Sequence, residues 1–144
     1  LITNEMELRD SFDTQLEDLA DRYSRISTLR VLFLNTSSAD GNLERIPLNL
    51  CDDLFKATQE AVSNAVKHSG GDEIKIHLTM EANNLLLVIE DNGIGIEDTK
   101  IRKSGTRNME QRIEKHGGNF SIQKLTEQGT SVFFQIDNIP LVKI

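Results

Sequence analysis

Glu60, Asn64 and His68 are spaced by four, and Lys67 follows Asn64 by three, so on a helix all four side chains share one polar stripe. A carboxylate on such a stripe can orient a water, an amide oxygen can ligate a hard cation such as Mg²⁺, and an ammonium can neutralise phosphate. A solvated helix face is the plainer alternative, although an asparagine inside a helix is mildly unfavourable and asks for a reason. A second group, Asp91-Asn92-Gly93-Ile94-Gly95, ends an aliphatic run. Its glycines let a backbone turn and approach a ligand closely, and its carboxylate can accept the exocyclic amine of adenine. Acidic turns with glycine also commonly end strands, so this pattern alone decides little. The third group is the basic run Lys100, Arg102, Lys103, Ser104, Gly105, Thr106, Arg107, Asn108. It ends at a helix start, where unpaired backbone N–H groups suit phosphate, and its bland reading is an exposed loop with a helix cap.

These groups need elements to hold them. Phe12, Leu16, Leu19, Ala20, Tyr23 and Ile26 recur at helical spacing and predict an amphipathic helix over 12–26. Leu29–Leu34 reads as a strand, followed by a polar loop with Asp40-Gly41. After Pro47 a second helix runs from Leu50 to His68, with Leu50, Leu54, Ala57, Ala61, Val62, Ala65 and Val66 on its apolar side, and stops at Gly70-Gly71. Glu73–Met80 and Leu85–Glu90 form a hairpin turning at Asn83-Asn84. A short helix over 106–115 ends at Gly117-Gly118, and strands Phe120–Leu125 and Thr130–Ile136 flank a turn at Glu127-Gln128-Gly129. The class is α+β, a two-layer sandwich of helices on one mixed, mostly antiparallel sheet.

At 144 residues the chain is long enough for one domain with its own core. With 16 Lys and Arg against 23 Asp and Glu, the net charge of −7 repels nucleic acid, so no nucleic-acid partner is expected and any polyanion must be held locally. No apolar run is long enough for a membrane helix, and direct membrane contact is not expected. The single cysteine, Cys51, excludes an intrachain disulfide, fits a reducing compartment, and reads as a small buried hydrophobe. No secretory signal opens the chain, and its first residue, Leu1, is not Met, which suggests a fragment of a longer protein.

The three groups, in this order, resemble the GHKL ATPase superfamily of histidine kinases, DNA gyrase B, MutL proteins and Hsp90 chaperones. Gln59 to His68 looks like its N box, Asp91 to Gly95 like its G1 box, and Gly129-Thr130 like its late Gly-Thr. The Lys67-His68 ending, a short lid, and Asn108-Met109-Glu110-Gln111-Arg112 before Gly117-Gly118 are similar to sensor kinases paired with helix-turn-helix response regulators. The resemblance spans about 12–136 and implies the GHKL (Bergerat-type) ATP-binding fold, with ATP and Mg²⁺ as cofactors. Carried over residue by residue, it implies that Asn64 ligates Mg²⁺ and that Glu60 acts beside the metal and γ-phosphate. Lys67 contacts phosphate, His68 supports the lid or the phosphates, and Asp91 reads adenine with help from Thr130 through water. Gly93, Gly95 and Gly105 let the lid fold over the phosphates, with backbone groups from Gly105, Thr106 and Asn108 contributing. Where relatives commonly show Gly-x-Gly-Leu, this chain has Lys103-Ser104-Gly105-Thr106, and the charge of Lys103 can partly replace the missing glycine.

The resemblance further implies a cytoplasmic kinase domain covering 11–144, with Leu1 to Asp10 as the remnant of an upstream hairpin or linker. That hairpin would carry the phosphoacceptor histidine and dimerise the full-length protein, and a cognate response regulator would receive the phosphoryl group. His77, alternating with Ile76 and Leu78, and His116, before a helix-ending Gly pair, read as structural. Two other readings stay open: an anti-sigma-factor-type serine kinase, and a degenerate nucleotide-binding module that performs no transfer.

Overall fold

The computed structural model describes residues 10–94, 106–125 and 128–143. Three helices, α1 (Phe12–Ile26), α2 (Leu48–His68) and α3 (Thr106–Glu114), pack on a sheet of five strands: β1 (Arg30–Asn35), β2 (Glu73–Glu81), β3 (Asn84–Asp91), β4 (Asn119–Lys124) and β5 (Thr130–Ile136). The strand order is β1-β2-β3-β5-β4. β1 lies parallel to β2 and the other neighbours are antiparallel, which makes the sheet mixed as expected.

Alternation along the strands separates two faces. Ile74, Ile76, Leu78 and Met80 of β2 are buried, as are Leu85, Leu87 and Ile89 of β3 and Phe134 and Ile136 of β5. Cross-strand pairing puts these side chains on the face that receives the helices, whereas Lys75, Leu86 and Gln135 point away and are exposed. Helix α1 buries Phe12, Leu16, Leu19 and Ala20 of its expected stripe. Helix α2 buries Leu50, Leu54, Ala57, Ala61, Val62 and Ala65, with Cys51 beside them, so the reading of Cys51 as a small core residue holds. It starts two residues earlier than its apolar pattern, directly after Pro47, whose extended backbone precedes the first turn. Gly70 and Gly117 both take positive φ, as helix-closing glycines do.

The β2–β3 turn falls one residue earlier than expected. Ala82 and Asn83 form it, and Asn84 already pairs with Glu81. The pleat gives the reason: only this placement sets Met80 opposite Leu85 with both side chains inward. Asn84 is also held in the strand by its Oδ1, which accepts the backbone N–H of Asn138 at 2.9 Å. The register forces Ala82 to φ 51°, in the left-handed region that disfavours a β-carbon. Ala82→Gly is therefore expected to stabilise the fold by about 0.5–1 kcal/mol, less than the relieved strain because glycine gains freedom in the unfolded chain. The check is a higher urea midpoint at unchanged slope.

Candidate functional site

Glu60 and Asn64 are half-buried in the second half of α2, and Lys67 and His68 are exposed in its last turn, so the four predicted stripe residues do lie on one helix. The helix ends against the loop that leaves β3. Ser69, fully buried, accepts the N–H of Ile94 on its carbonyl at 2.8 Å. Gly93 lies so close beneath that carbonyl that a β-carbon there would stand 2.1 Å from the Ser69 oxygen and 2.6 Å from the Ser69 β-carbon. Only glycine allows this approach. It joins the end of the polar stripe to the second predicted group.

Asn92 holds that loop from the other side. Its Oδ1 accepts the backbone N–H groups of Asp72 and Glu73, both at 3.0 Å, and its Nδ2 donates to the Asp72 carboxylate at 2.6 Å. The role of Asn92 is thus to staple the loop to the start of β2.

Asp91 closes β3 and is buried, paired across the sheet with Ile74 on one side and Thr130 on the other. Burial pushes its carboxyl above the ordinary carboxylate range, against hydrogen bonds from the backbone N–H groups of Gly93 (2.9 Å to Oδ1) and Thr130 that favour the charge. Thr130 lies on the same face, and its Oγ1 is buried with no hydrogen-bond partner among the described residues. An orphaned buried hydroxyl costs about 1–3 kcal/mol unless a ligand or water completes it. Ahead of it, Gly129 at φ 112° lies where a β-carbon would meet the Asp91 carbonyl oxygen at 2.1 Å, which explains the Gly-Thr pair. A desolvated acceptor beside an unsatisfied hydroxyl, with backbone packed close around both, fits a flat heterocycle that carries an amine and ring nitrogens.

The structure thus brings Asp91, Gly93 and Thr130 together and links them through Ser69 to the helix of Glu60, Asn64, Lys67 and His68. Thr106, half-buried, and Asn108, exposed, stand in the first turn of α3. Gly95, Lys103 and Gly105 lie outside the described residues, as do Lys100 and Arg102 and all of the proposed remnant over Leu1 to Asp10 except Asp10. Among the described residues no three His, Cys, Asp or Glu side chains are grouped to hold a metal. Mg²⁺ shared between one amide oxygen and nucleotide phosphates needs no such group.

Sequence reasoning missed Asp53. Its carboxylate, buried on α2, accepts Arg112 Nη1 at 3.1 Å and His116 Nε2 at 2.7 Å, with Lys115 Nζ at 3.1 Å. Burial raises the Asp53 carboxyl, but the hydrogen bonds from His116, Lys115 and Arg112 together outweigh it and hold it below the usual range. The available signal was an acid inside the apolar stripe between Leu50 and Leu54, which demands a partner. The other expected structural histidine, His77, points to the outer sheet face and shares a 2.7 Å hydrogen bond with Thr36.

Residues 50–140 match the protein family described as "Histidine kinase-, DNA gyrase B-, and HSP90-like ATPase". The chain belongs to this family. Among sequence relatives of this ATPase domain, the "Sensor protein VraS" of Staphylococcus haemolyticus (strain JCSC1435) is 39% identical over 90 residues, 61% of this chain and 26% of that protein. Its namesake in Staphylococcus saprophyticus subsp. saprophyticus is 40% identical over 90 residues, with the same shares. The chain spans about a quarter of the length of these curated relatives.

Solved structures share the fold of the ATPase domain. The histidine kinase domain of the Erythrobacter litoralis EL346 blue-light activated histidine kinase superposes with a TM-score of 0.73 at 18% identity, over 91% of this chain and 61% of that one. The ATP binding domain of PrrB from Mycobacterium tuberculosis gives 0.65 at 21% identity, over 86% and 91%. The expected fold and the resemblance to sensor-kinase catalytic domains are therefore met. Among the described residues no helix is long and apolar enough to cross a membrane.

Proposed function

We propose that this ATPase domain binds ATP with Mg²⁺ and donates the γ-phosphoryl group to a histidine on a separate dimerisation hairpin, as the catalytic part of a sensor histidine kinase. The observation that carries the reading is the buried Asp91 beside the partnerless Thr130 hydroxyl, pinned through Gly93 and Ser69 to the helix of Glu60 and Asn64. The names of the relatives, sensor proteins and histidine kinase domains, favour this reading over a serine kinase or an inert binding module.

In this reading Asp91 accepts the adenine amine, and the Thr130 hydroxyl completes its hydrogen bonding on the base, directly or through a water. The Asn64 amide oxygen would hold Mg²⁺ against the phosphates, and Glu60 would orient groups around the metal and γ-phosphate. Lys67, exposed at the end of α2, neutralises phosphate charge and His68 beside it supports the lid or the phosphates, with Gly95, Lys103, Gly105, Thr106 and Asn108 completing the enclosure. Mg²⁺ supplies charge neutralisation of the triphosphate. The protein's share is positioning: in-line transfer breaks the bond to the β-phosphate oxygen and forms one to the histidine nitrogen. The domain contributes no nucleophile. The full-length protein would be a homodimer through that hairpin, passing the phosphoryl group to a response regulator, with this domain in the cytoplasm.

Titration with a fluorescent ATP analogue, with and without Mg²⁺, tests the pocket. Binding strengthened by Mg²⁺ in the unmodified chain, with that strengthening lost in Asn64→Ala, is the expected result. No binding at millimolar nucleotide overturns the reading.

A further inference from the structure

We propose that Asp53 is a positioning residue for the triphosphate, acting through α3. The inference rests on the nucleotide reading above. Asp53 precedes Glu60 by seven residues and Asn64 by eleven, so the three lie within about 20° of one line along α2. The stripe that carries the candidate metal and phosphate residues therefore continues back to Asp53, about 10 Å along the helix from Glu60. At that end of the stripe the chain places its densest charge cluster among the described residues.

All three partners of Asp53 come from one short stretch, Arg112 in the last turn of α3 and Lys115 and His116 in the turn that follows. Their side chains differ in exposure: 37% for Arg112, 64% for Lys115 and 12% for His116, against 9% for Asp53. The cluster is thus closed on the His116 side and open on the Lys115 side. Beneath it Met109 and Ile113 are fully buried in the core. Met109 and Ile113 hold α3 down by burial, but two buried side chains four residues apart constrain its angle along α2 only loosely. A carboxylate with both oxygens taken, Oδ1 by Arg112 and Oδ2 by Lys115 and His116, does choose it. With its C-terminal end so fixed and its length only nine residues, α3 has its first turn, with Thr106 and Asn108, set as a rigid consequence. That turn is where the nucleotide reading puts phosphate contacts.

A purely structural clamp and a positioning clamp differ in what they do to two ligands. Adenosine shares the base with ATP but has no phosphates. If Asp53 acts through the first turn of α3, Asp53→Asn weakens ATP·Mg binding about tenfold and leaves the Kd of adenosine unchanged, and Asp53→Glu recovers part of the loss. Equal weakening of both ligands, or no change in either, overturns the proposal while leaving the nucleotide reading intact. An unmodified chain that binds neither ligand overturns the nucleotide reading and this inference with it. Should Asp53→Asn fail to fold, His116→Gln, which removes the most buried of the three partner side chains, is read in the same two titrations with the same expected split.

Discussion

Asp91→Asn is expected to weaken ATP binding by about 100-fold and, in the same protein, to raise the melting temperature of the unliganded domain. The affinity loss follows from hydrogen-bond polarity. The new amide can still accept the Gly93 N–H through its oxygen, but its NH₂ group then faces the base, and a donor meets the donor of the adenine amine. Losing a charged acceptor and burying such a mismatch costs about 2–3 kcal/mol, which is the stated factor. The stability gain follows from desolvation. Burial raises the Asp91 carboxyl in the folded state, so the folded chain binds this proton more tightly than the unfolded chain does. The stability tied to Asp91 is therefore complete below its unfolded value of about 3.9 and is lost as pH rises through the raised folded value. At neutral pH the fold carries a carboxylate it would rather not hold, and the asparagine removes that burden. Thermal unfolding at pH 7 and at pH 4 checks the sign: the variant's advantage shrinks on acidification. A variant that binds ATP as the parent does would remove Asp91 from the base.

Gly93→Ala is expected to destabilise the domain by about 3 kcal/mol, roughly a 10 °C fall in Tm for a chain of this size, and to abolish nucleotide binding. The methyl would stand 2.1 Å from the Ser69 carbonyl oxygen, a backbone atom fixed by the end of α2. Relief requires the loop and the helix end to part, which also breaks the Ile94–Ser69 hydrogen bond of 2.8 Å. Asp91 and the helix of Glu60 and Asn64, the proposed base and metal contacts, then lose their common support. Differential scanning calorimetry and a nucleotide titration measure both effects, and a variant with the parent's melting temperature would show that the contact yields easily.

The elements that could be read from the sequence are those whose cause is local. The stripe on α1 and the alternation in β2 are set by residues a few positions apart, and both appear where expected. The stripe of Glu60, Asn64, Lys67 and His68 was legible for the same reason. Contacts across long separations were not. The parallel seating of β1 on β2, and the insertion of β5 between β3 and β4, depend on partners that no short window contains. Asp53 finds Arg112 and His116 at separations of 59 and 63 residues, so its acid looked like an interruption of an apolar face. The Thr130 hydroxyl belongs to the same class, because its lack of a partner is a property of the folded neighbourhood alone.

Strand order also carries a consequence for biosynthesis. β5 follows β4 in the chain, yet it sits inside the sheet between β3 and β4. While the ribosome is still completing residues 130–136, β3 presents an open edge carrying Leu85, Leu87 and Ile89, and β4 lacks the strand it pairs with. An unpaired apolar edge of this kind invites pairing with another nascent chain. A stop codon placed before Thr130 should therefore yield not a weakened domain but an aggregating one, because the segment that carries Thr130 of the proposed site also seals the sheet.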